Sequence, residues 1–508
     1  MKPDQQATIM DDDDGQEARR EAEALDFARP LDVHRWSDFP EADAFVDEVY
    51  ARCQDRMDTN IERKHFKVVL LDLYVAWLMH PDLKIAVAMG ASAYKPKSRY
   101  NALRISKKVT DVVRLLHDAG LIHVKLGFYV RSERSGSGRL TRIWPTSELT
   151  ALFERCNLDS YKIGTREKEV IILKNEDGDQ IEYEDTPDTY RMRQVVSDYN
   201  DLLARHFIDI RRLNHPWIDL GNGSRLIIGP ARQQVHRVFN RASFSYGGRF
   251  YGAWWQECPK SWRREIFIND APTIEQDYSS LHIALLYARK GINYYTDCEG
   301  DAYQLDTPAF LTTPQETRRY AKALMLTAIN AKNDRMTFNA FRSQRRKEGD
   351  QQGGSFADKQ LSVLLDGLRR KHPIIADDLA SDAGIMLMND DSRITEHVIK
   401  RFTERGLPVL TVHDSYIVHW QAHDLLEEAL NEGFSVVTGM TGIRSERTGV
   451  AGDLTSWDTG KLSLEAMTRS RGYTDRLLKW MTRGNHGNLG EVIMGEKLMP
   501  LLREMSDE

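Results

Sequence analysis

The 508-residue chain contains few cysteines, and none of them has the paired spacing typical of a zinc site. The cysteines are isolated from one another, at Cys53, Cys156, Cys258 and Cys298. Without a CxxC pair, the sequence indicates neither a zinc ribbon nor a disulfide framework. A reducing compartment fits this cysteine usage.

A long hydrophobic run is also missing. The longest apolar stretch, from Val68 to Met79, contains Asp72 and is too short to span a bilayer, so we predict a buried helix there. The N-terminus is acidic where a secretory signal would be basic. We therefore expect an intracellular, cytoplasmic protein with no membrane partner, associated with the nucleoid if it is bacterial.

The chain carries no overall positive charge. Its net charge is −6, and its 41% hydrophobic and 29% charged residues are typical of a globular protein. A chain of this length is expected to form roughly two to four domains. Because the whole molecule is not a polycation, any contact with nucleic acid has to come from a local basic surface.

One segment is locally basic. Residues 62–150 contain 16 Lys and Arg against 7 Asp and Glu, which gives a net charge of +9. Apolar spacing from Ser106 to Gly120 predicts a helix with a glycine C-cap. The residues that follow, up to Pro145, predict a strand, a Gly/Ser-rich basic turn and a returning strand. This order of elements resembles a winged helix.

Duplex DNA is the partner that such a surface favours. The alternative is a winged helix that contacts other proteins. If the segment binds DNA, the expected contacts come from basic residues at the start of the helix, on the helix and in the turn: Lys107, Lys108, Arg114, Arg134 and Arg139.

Two further segments place an aspartate at the end of a strand. Asp277 follows a β-tolerant stretch in TIEQDYSSLH, and Asp414 lies at the tip of a predicted hairpin in VLTVHDSYIV. Either aspartate alone is more typical of a helix N-cap or a turn. Together they can form one site, because Mg²⁺ prefers carboxylate oxygens and two such ions can stabilise both oxygens of a phosphoryl transfer.

A cationic helix lies between the two aspartates in sequence. Thr313 to Glu316 has the pattern of a capping box, with proline at the first helical position. The predicted helix presents a stripe at intervals of four residues: Arg318, Lys322, Leu326 and Asn330. Arg and Lys on this stripe are suited to a triphosphate, although a basic helix face is more often only solvated.

The order and composition of these segments resemble family A nucleic-acid polymerases, the group of bacterial DNA polymerase I and the single-subunit phage and mitochondrial RNA polymerases. DYSSLH is similar to motif A of that family, RRYAKALMLTAIN to motif B and VHDSY to motif C. YGGRFYGAWW resembles the element that holds the primer–template duplex. The resemblance covers about residues 240–425. It implies an α+β right-hand polymerase with an antiparallel palm sheet and helical fingers and thumb.

The resemblance also implies roles for individual residues. Asp277 and Asp414 would bind two Mg²⁺ ions, or Mn²⁺, with help from the backbone carbonyl of Tyr278. Arg318 and Lys322 would hold the triphosphate and neutralise the transition state. The other implied contacts are to the nucleotide, by His282, Arg319, Leu326 and Asn330, and to the nucleic acid, by Gly248, Arg249, Tyr251 and His413.

Each of the three motifs departs from a form of the family pattern. His282 stands where the DNA enzymes have the Glu that excludes a 2′-hydroxyl, and Asn330-Ala331 replaces Tyr-Gly at the end of the fingers helix. Ser415 replaces the second carboxylate of motif C, as in the RNA enzymes. These residues leave the choice between dNTP and NTP open. No exonuclease signature precedes residue 185, so we do not expect proofreading.

The predicted organisation has five segments. They are a disordered acidic tail at 1–30, a winged-helix DNA-binding domain at 31–150, a linker and thumb-like helical region at 151–245, a palm and fingers domain at 246–460 and a helical extension at 461–508. Within the third segment, helices are predicted from Asp188 to His206 and from Pro230 to Arg241.

The function expected from this organisation is template-directed nucleotide transfer to a 3′-hydroxyl, in replication of DNA or of a mobile element. Its partners would be a DNA template–primer duplex and nucleoside triphosphates. A DNA-directed DNA polymerase is favoured over an RNA polymerase or primase. The alternative is a DNA-binding replication initiator with a catalytically degenerate palm, and template-independent tailing is a third possibility. The sequence indicates no oligomeric state.

Overall fold

The computed structural model describes residues 27–53, 62–131, 136–156, 158, 162–166, 168–220, 225–449 and 468–481. They belong to two compact units, bounded as Met1–Glu169 with His215–Arg232 and as Val170–Asn214 with Gln233–Glu508. The predicted acidic tail up to residue 26, Arg134 and most of the predicted C-terminal extension lie outside the described residues.

The helices, in chain order, are α1 (Pro40–Cys53), α2 (Arg63–Met79), α3 (Val109–Asp118), α4 (Ser147–Cys156), α5 (Pro187–Ala204), α6 (Lys260–Arg263), α7 (Leu281–Arg289), α8 (Tyr294–Asp297), α9 (Pro314–Asn330), α10 (Asp334–Lys347), α11 (Gln351–Gly354), α12 (Asp358–Lys371), α13 (Gly384–Thr403), α14 (His423–Thr438) and α15 (Arg471–Met481).

The strands, in chain order, are β1 (Ala28–Pro30), β2 (Arg35–Trp36), β3 (Lys84–Val87), β4 (Ile122–Lys125), β5 (Phe128–Arg131), β6 (Gly136–Arg139), β7 (Thr141–Pro145), β8 (Gly164–Thr165), β9 (Ile171–Leu173), β10 (Ile208–Ile210), β11 (Trp217–Asp219), β12 (Arg225–Ile227), β13 (His236–Asn240), β14 (Ser243–Tyr251), β15 (Ile266–Ile268), β16 (Ala271–Tyr278), β17 (Val409–Val412), β18 (Ser415–His419) and β19 (Ser445–Gly449).

The first unit is built around the apolar helix α2 and a sheet of order β1-β3-β7-β4. The predicted buried helix at Val68–Met79 is confirmed as part of α2. Asp72, in the middle of that helix, is fully buried, and Arg29 binds its carboxylate with nitrogen–oxygen distances of 2.7 and 2.8 Å. Arg35 lies 3.3 Å from the same carboxylate. The pairing explains how a charge is tolerated in this core.

The helix and the returning strand predicted for residues 106–145 are confirmed as α3 and β7. The single strand predicted before the turn is divided into β4 and β5, and the end of the predicted Gly/Ser-rich turn belongs to strand β6. Gly120, just after α3, has φ +74°, a left-handed conformation that favours glycine as a C-cap. Strand β7 pairs with both β3 and β4 in antiparallel register, and the β5–β6 hairpin lies between β4 and β7 in the chain. The apolar face of α3 is buried, so its polar face is left to solvent.

The second unit contains an antiparallel sheet of order β10-β15-β16-β18-β17, in which β19 also pairs with β16. β16 therefore has β18 on one side, and β15 followed by β19 on the other. Side chains alternate along β16: Ile274, Gln276 and Tyr278 are buried, while Glu275 and Asp277 point to the opposite face. The unit mixes helices with this antiparallel sheet, which confirms the α+β class.

The prediction of a helix from Pro230 to Arg241 is wrong. After a short 3₁₀ turn at Pro230–Arg232, the chain forms strand β13, which pairs antiparallel with β14 and parallel with β9. Burial along β13 alternates with a period of two residues, so Arg237 and Phe239 face inward. The spacing of Val235, Val238 and Phe239 also suits a helix, and only the partner strands decide between the two structures.

The helix predicted from Asp188 is confirmed as α5, which begins one residue earlier after an N-cap at Thr186. Helix α15, in the predicted extension, belongs to the second unit. Arg476 of α15 binds the buried Asp209 of β10 through nitrogen–oxygen contacts of 2.7 and 2.8 Å. The sheet therefore includes β10, which precedes the predicted palm and fingers domain at 246–460, and it is contacted by α15, which follows that domain.

His419, at the end of β18, gives this unit a testable pH dependence. Burial lowers the pKa of His419 to about 4, and its Nδ1 accepts a hydrogen bond from the Gln421 backbone N–H at 3.2 Å. Its contribution to the free energy of unfolding is therefore complete above pH 6.5, the unfolded value, and is lost as the pH falls towards 4. His419→Asn keeps a hydrogen-bond acceptor but does not titrate. We therefore expect this variant to lose less unfolding free energy than the unsubstituted protein between pH 6.5 and 4, with a difference of at most about 3 kcal/mol. Urea unfolding of both proteins at pH 7, 5.5 and 4.5 measures it, and parallel pH profiles would contradict the expectation.

Candidate active site

Strand pairing brings the two predicted aspartates together. Asp277 of β16 lies directly opposite Ser415 of β18, the residue that follows Asp414. Asp414 and His413 form the tip between β17 and β18, where His413 has φ +59°. The predicted hairpin with an acidic tip is thus confirmed, and its tip lies beside the end of β16.

The electrostatics of Asp277 reflect this proximity. Its carboxyl group reaches solvent but is surrounded by protein on several sides. Burial, the charge of Asp414 and the charge of Glu275 raise the pKa of Asp277 to about 7, while Lys322 acts in the opposite direction. Two carboxylates that repel each other in this way are stabilised by a cation between them.

The donor set fits Mg²⁺. Mg²⁺ binds hard oxygen ligands and commonly uses one or two carboxylates together with substrate phosphates and water. Asp277, near the end of β16, and Asp414, at the adjacent hairpin tip, supply two such carboxylates. Within the part of the chain that the structure describes, no cluster of three or more His, Cys, Asp or Glu side chains is placed to hold a metal. Any ion at this site would therefore need phosphate oxygens and water as its further ligands.

Helix α9 presents the predicted cationic stripe. Its N-cap is Thr313, whose side chain accepts a hydrogen bond from the Glu316 backbone N–H at 3.1 Å. Tyr320, Leu324 and Met325 are among the residues on its buried face. The opposite face leaves the stripe partly or fully exposed: Arg318, Lys322, Leu326 and Asn330.

Two groups outside the motifs position these cations. Asp301 pairs with Arg318 at 2.7 Å, and Lys322 Nζ lies 5.6 Å from the ring centre of Tyr303. Arg319 is exposed, and its guanidinium lies 4.5 Å from the ring centre of Tyr320. Lys322 and Asp277 interact electrostatically, so this end of the helix shares one environment with the aspartates.

At the start of the stripe, Arg318 is paired with Asp301 and Lys322 is exposed. The end of the stripe carries uncharged side chains instead. Leu326 is 41% exposed and lies one helical turn after Lys322, so an apolar surface follows the cationic part of the stripe. The Asn330 amide donates to the Leu326 carbonyl at 2.7 Å, so it is turned back onto its own helix. This arrangement suits a ligand with an anionic end and an apolar, planar end.

Arg249 and His282, which are both partly buried, form a cluster with the buried Asp391 of α13. Arg249 Nε donates to Asp391 Oδ2 at 2.6 Å, and Arg249 Nη2 lies 3.0 Å from His282 Nε2. Asp391 is fully buried. Burial lowers the pKa of Arg249, but the charges of Asp391 and Asp414 act in the opposite direction, and the pKa is raised overall. The predicted duplex contact Arg249 is therefore held in place by a carboxylate near the candidate site.

Glycine is required at position 248 both by its backbone conformation and by the lack of space for a side chain. Its φ is +93°, and a Cβ at this position would come within 2.7 Å of the Phe239 ring and 2.8 Å of Ser392 Oγ. The close approach packs β14 against α13. Tyr251, at the end of β14, is 36% exposed, and its ring centre lies 6.3 Å from that of His413.

Three acidic residues of this region were not identified from the sequence: Asp301, Asp391 and Glu446. Glu446 of β19 lies directly opposite Asp277, on the side away from Ser415. None of the three belongs to a motif. A buried charge inside the amphipathic pattern of α13 was the one available signal for Asp391, because a fully buried Asp is rare unless it is paired.

In the first unit, three of the predicted DNA contacts are exposed: Lys107, Lys108 and Arg114. Lys108 pairs with Glu62, and Arg114 Nη1 donates to Asp111 at 3.1 Å. Arg139 is partly exposed at the end of β6. The neighbouring apolar side chains Leu126 and Phe128 are 72% and 57% exposed. Basic and apolar groups therefore share this surface.

Comparison with known proteins gives no family for this chain: no protein-family model matches it, and no curated protein matches it. Among the described residues, no helix combines the length and the apolar character needed to cross a membrane.

Proposed function

We propose that this protein is a template-directed nucleotidyltransferase that extends a nucleic-acid 3′-hydroxyl with nucleoside triphosphates and contacts DNA through its first unit. The observation that carries the proposal is the convergence of Asp277, Asp414 and Lys322, which are far apart in sequence but influence one another electrostatically. Paired carboxylates facing a cationic helix suit the transfer of a nucleotidyl group from a triphosphate.

The chain's own residues have separable tasks in this reaction. The 3′-hydroxyl oxygen forms a bond to the α-phosphorus as the bond to the bridging oxygen breaks, the hydroxyl proton passes to solvent and pyrophosphate leaves. Lys322 and Arg318 bind the triphosphate and offset the charge that develops on its oxygens. Asp277 and Asp414 would hold Mg²⁺, which supplies charge neutralisation and activation of the hydroxyl when bound. Leu326 offers an apolar surface to the base.

A primer-extension assay tests the proposal. Purified protein is given Mg²⁺ with either dNTPs or NTPs, on primed template, unprimed template and primer alone. Incorporation that follows the template sequence is the expected result. Extension of primer without template would instead indicate tailing. No incorporation under any condition, together with retained DNA binding, would favour the replication initiator with a degenerate palm.

DNA binding by the first unit is tested with substitutions rather than with a deletion. Residues 215–232 belong to this unit, so removing 62–150 would leave part of it behind. We expect Lys107→Ala/Lys108→Ala/Arg114→Ala to weaken duplex binding at least about tenfold near physiological salt, and to lower the salt dependence by roughly one unit for each lost phosphate contact. Fluorescence anisotropy at several salt concentrations measures both quantities.

A matched control removes three other cations of the same unit that also pair with carboxylates: Arg52, Arg155 and Lys162. This control should bind DNA like the unsubstituted protein. Equal loss of affinity in both triple variants would show that only net charge matters and would contradict a specific surface around α3.

A further inference from the structure

Arg318, one of the two cations that the proposed reaction assigns to the triphosphate, is already occupied by a carboxylate. Its Nε and its Nη2 both contact Asp301 Oδ2, each at 2.7 Å. The contact found for the other cation, Lys322, is with the Tyr303 ring, whose centre lies 5.6 Å from Nζ. Asp301 Oδ2 therefore stands on the guanidinium where an oxygen of an anionic ligand would bind.

The pair of Arg318 and Asp301 lies where it can be exchanged for another pair. The two side chains are 40% and 36% exposed, so both charges keep contact with water when they separate. The pair of Arg249 and Asp391 is the opposite case, because the Asp391 side chain is 1% exposed and its release would leave a buried charge unpaired. An exposed pair contributes little to stability, and a more highly charged ligand can displace it.

Each member of the exposed pair has a second interaction that does not depend on the other. Asp301 Oδ1 accepts a hydrogen bond from the Tyr303 backbone N–H at 2.8 Å. Burial acts to raise the pKa of Asp301, but Arg318, this hydrogen bond and the charge of Lys371 lower it overall, so the group is ionised at neutral pH. The Arg318 guanidinium lies 5.8 Å from the centre of the Tyr303 ring, within the range of a cation–π contact. Both groups therefore remain supported when a ligand separates them.

A triphosphate has two advantages over the Asp301 carboxylate in this competition. It carries more negative charge, and a second group of its oxygens can reach Lys322, which lies one helical turn after Arg318 on the same stripe. The product pyrophosphate meets the same two cations. Asp301 opposes both ligands, because it holds Arg318 and because its own charge repels phosphate oxygens.

We propose that Asp301 is the resident counter-ion of Arg318: it holds the guanidinium in the ligand-free protein, releases it when the triphosphate binds and rebinds it as pyrophosphate leaves. The inference rests on the proposed function and adds a positioning residue to that site. The exchange is ionic, so no covalent bond changes. Its consequence is that the site binds its substrate and its product less tightly than the two cations alone would allow.

Asp301→Asn tests the exchange. Asparagine keeps the volume and an oxygen that can accept from the Tyr303 N–H, but it has no charge with which to hold Arg318. Calorimetry of the full-length protein with inorganic tripolyphosphate and Mg²⁺, without nucleic acid, measures binding in the absence of chemistry. We expect the dissociation constant to fall about three- to tenfold. In primer extension, inhibition by added pyrophosphate should become stronger by a similar factor. A purely structural lesion would weaken binding instead.

Two controls separate the exchange from a general effect of charge. Asp306→Asn removes the same charge from an exposed position of the same segment between α8 and α9, and it should bind tripolyphosphate like the unsubstituted protein. In an Arg318→Ala background there is no guanidinium to release. Asp301→Asn should then change the dissociation constant by less than about twofold, because only a screened repulsion remains.

The outcomes are distinct. Weaker tripolyphosphate binding by Asp301→Asn would overturn the inference, as would equal tightening by Asp306→Asn or an undiminished effect in the Arg318→Ala background. If primer extension fails while these binding constants are as expected, the proposed chemistry is wrong and the counter-ion stands. If extension succeeds and Asp301→Asn leaves both the tripolyphosphate and the pyrophosphate constants unchanged, the proposed function stands without the counter-ion.

Discussion

Asp277→Asn and Asp414→Asn should each reduce nucleotide incorporation on the order of 10³-fold or more while duplex binding stays within about twofold. The reason is that each substitution removes one of the two carboxylates that converge at the end of β16 and the tip of the β17–β18 hairpin. Steady-state primer extension with saturating Mg²⁺ measures the activity, and anisotropy measures binding.

A stability measurement distinguishes a catalytic role from a structural one. Because the pKa of Asp277 is raised to about 7, the unfolded chain loses this proton at a lower pH than the folded protein, and stability is lost as the pH rises from the unfolded value of about 4 to 7. Asp277→Asn should therefore increase the free energy of unfolding at pH 8 by roughly 1 kcal/mol once solvent screening is allowed for. It should give no increase below about pH 3, where the acid is neutral in both states. A structural residue would lose stability together with activity.

The control for both aspartates is Asp424→Asn. Asp424 is on α14, directly after the same hairpin, and its side chain is 73% exposed. This variant should retain full activity and stability. Undiminished incorporation by either Asp277→Asn or Asp414→Asn would rule out the proposed site.

Lys322→Ala is expected to lower kcat/KM for the nucleotide by about 10²–10³-fold, with little change in duplex affinity. Lys322 is the exposed cation of α9 whose charge is felt by Asp277, so its removal affects the triphosphate and the developing pyrophosphate. Lys322→Arg keeps the charge but changes its shape, and should recover only part of the loss.

The matched control is Lys332→Ala, an exposed lysine two residues after the end of α9. Its activity should equal that of the unsubstituted protein. If Lys322→Ala and Lys332→Ala behave alike in single-turnover kinetics with varied nucleotide concentration, α9 does not bind the triphosphate.

The sequence predicted the local elements of the candidate site well where two signals agreed. Helix α9 combines a capping pattern with a four-residue stripe, and both are present in the structure. The hairpin around Asp414 combines β-branched strands with a polar tip. The helix prediction for residues 236–240 was wrong because their apolar spacing suits both a helix and a strand. Pairing with β9 and β14 stabilises the strand.

Local sequence patterns could not predict which residues contact the site residues. Asp391 reaches Arg249 across 142 residues of sequence, and Glu446 lies opposite Asp277 through the pairing of β19 with β16. No periodicity connects such positions, because their proximity follows from how α13 packs on β14 and how the sheet adds its last strand.

By itself, the sequence determined which short segments carry carboxylates, cations and turns, since those depend on neighbouring residues. Only the tertiary structure decided that Asp277 and Asp414 share one environment, that α9 faces it with Lys322, and that Asp391 orients Arg249 towards His282. The physical reason is that strand pairing and helix packing join residues distant in the chain. Such contacts set the charge and the protonation of each group, and neither property is present in an isolated segment.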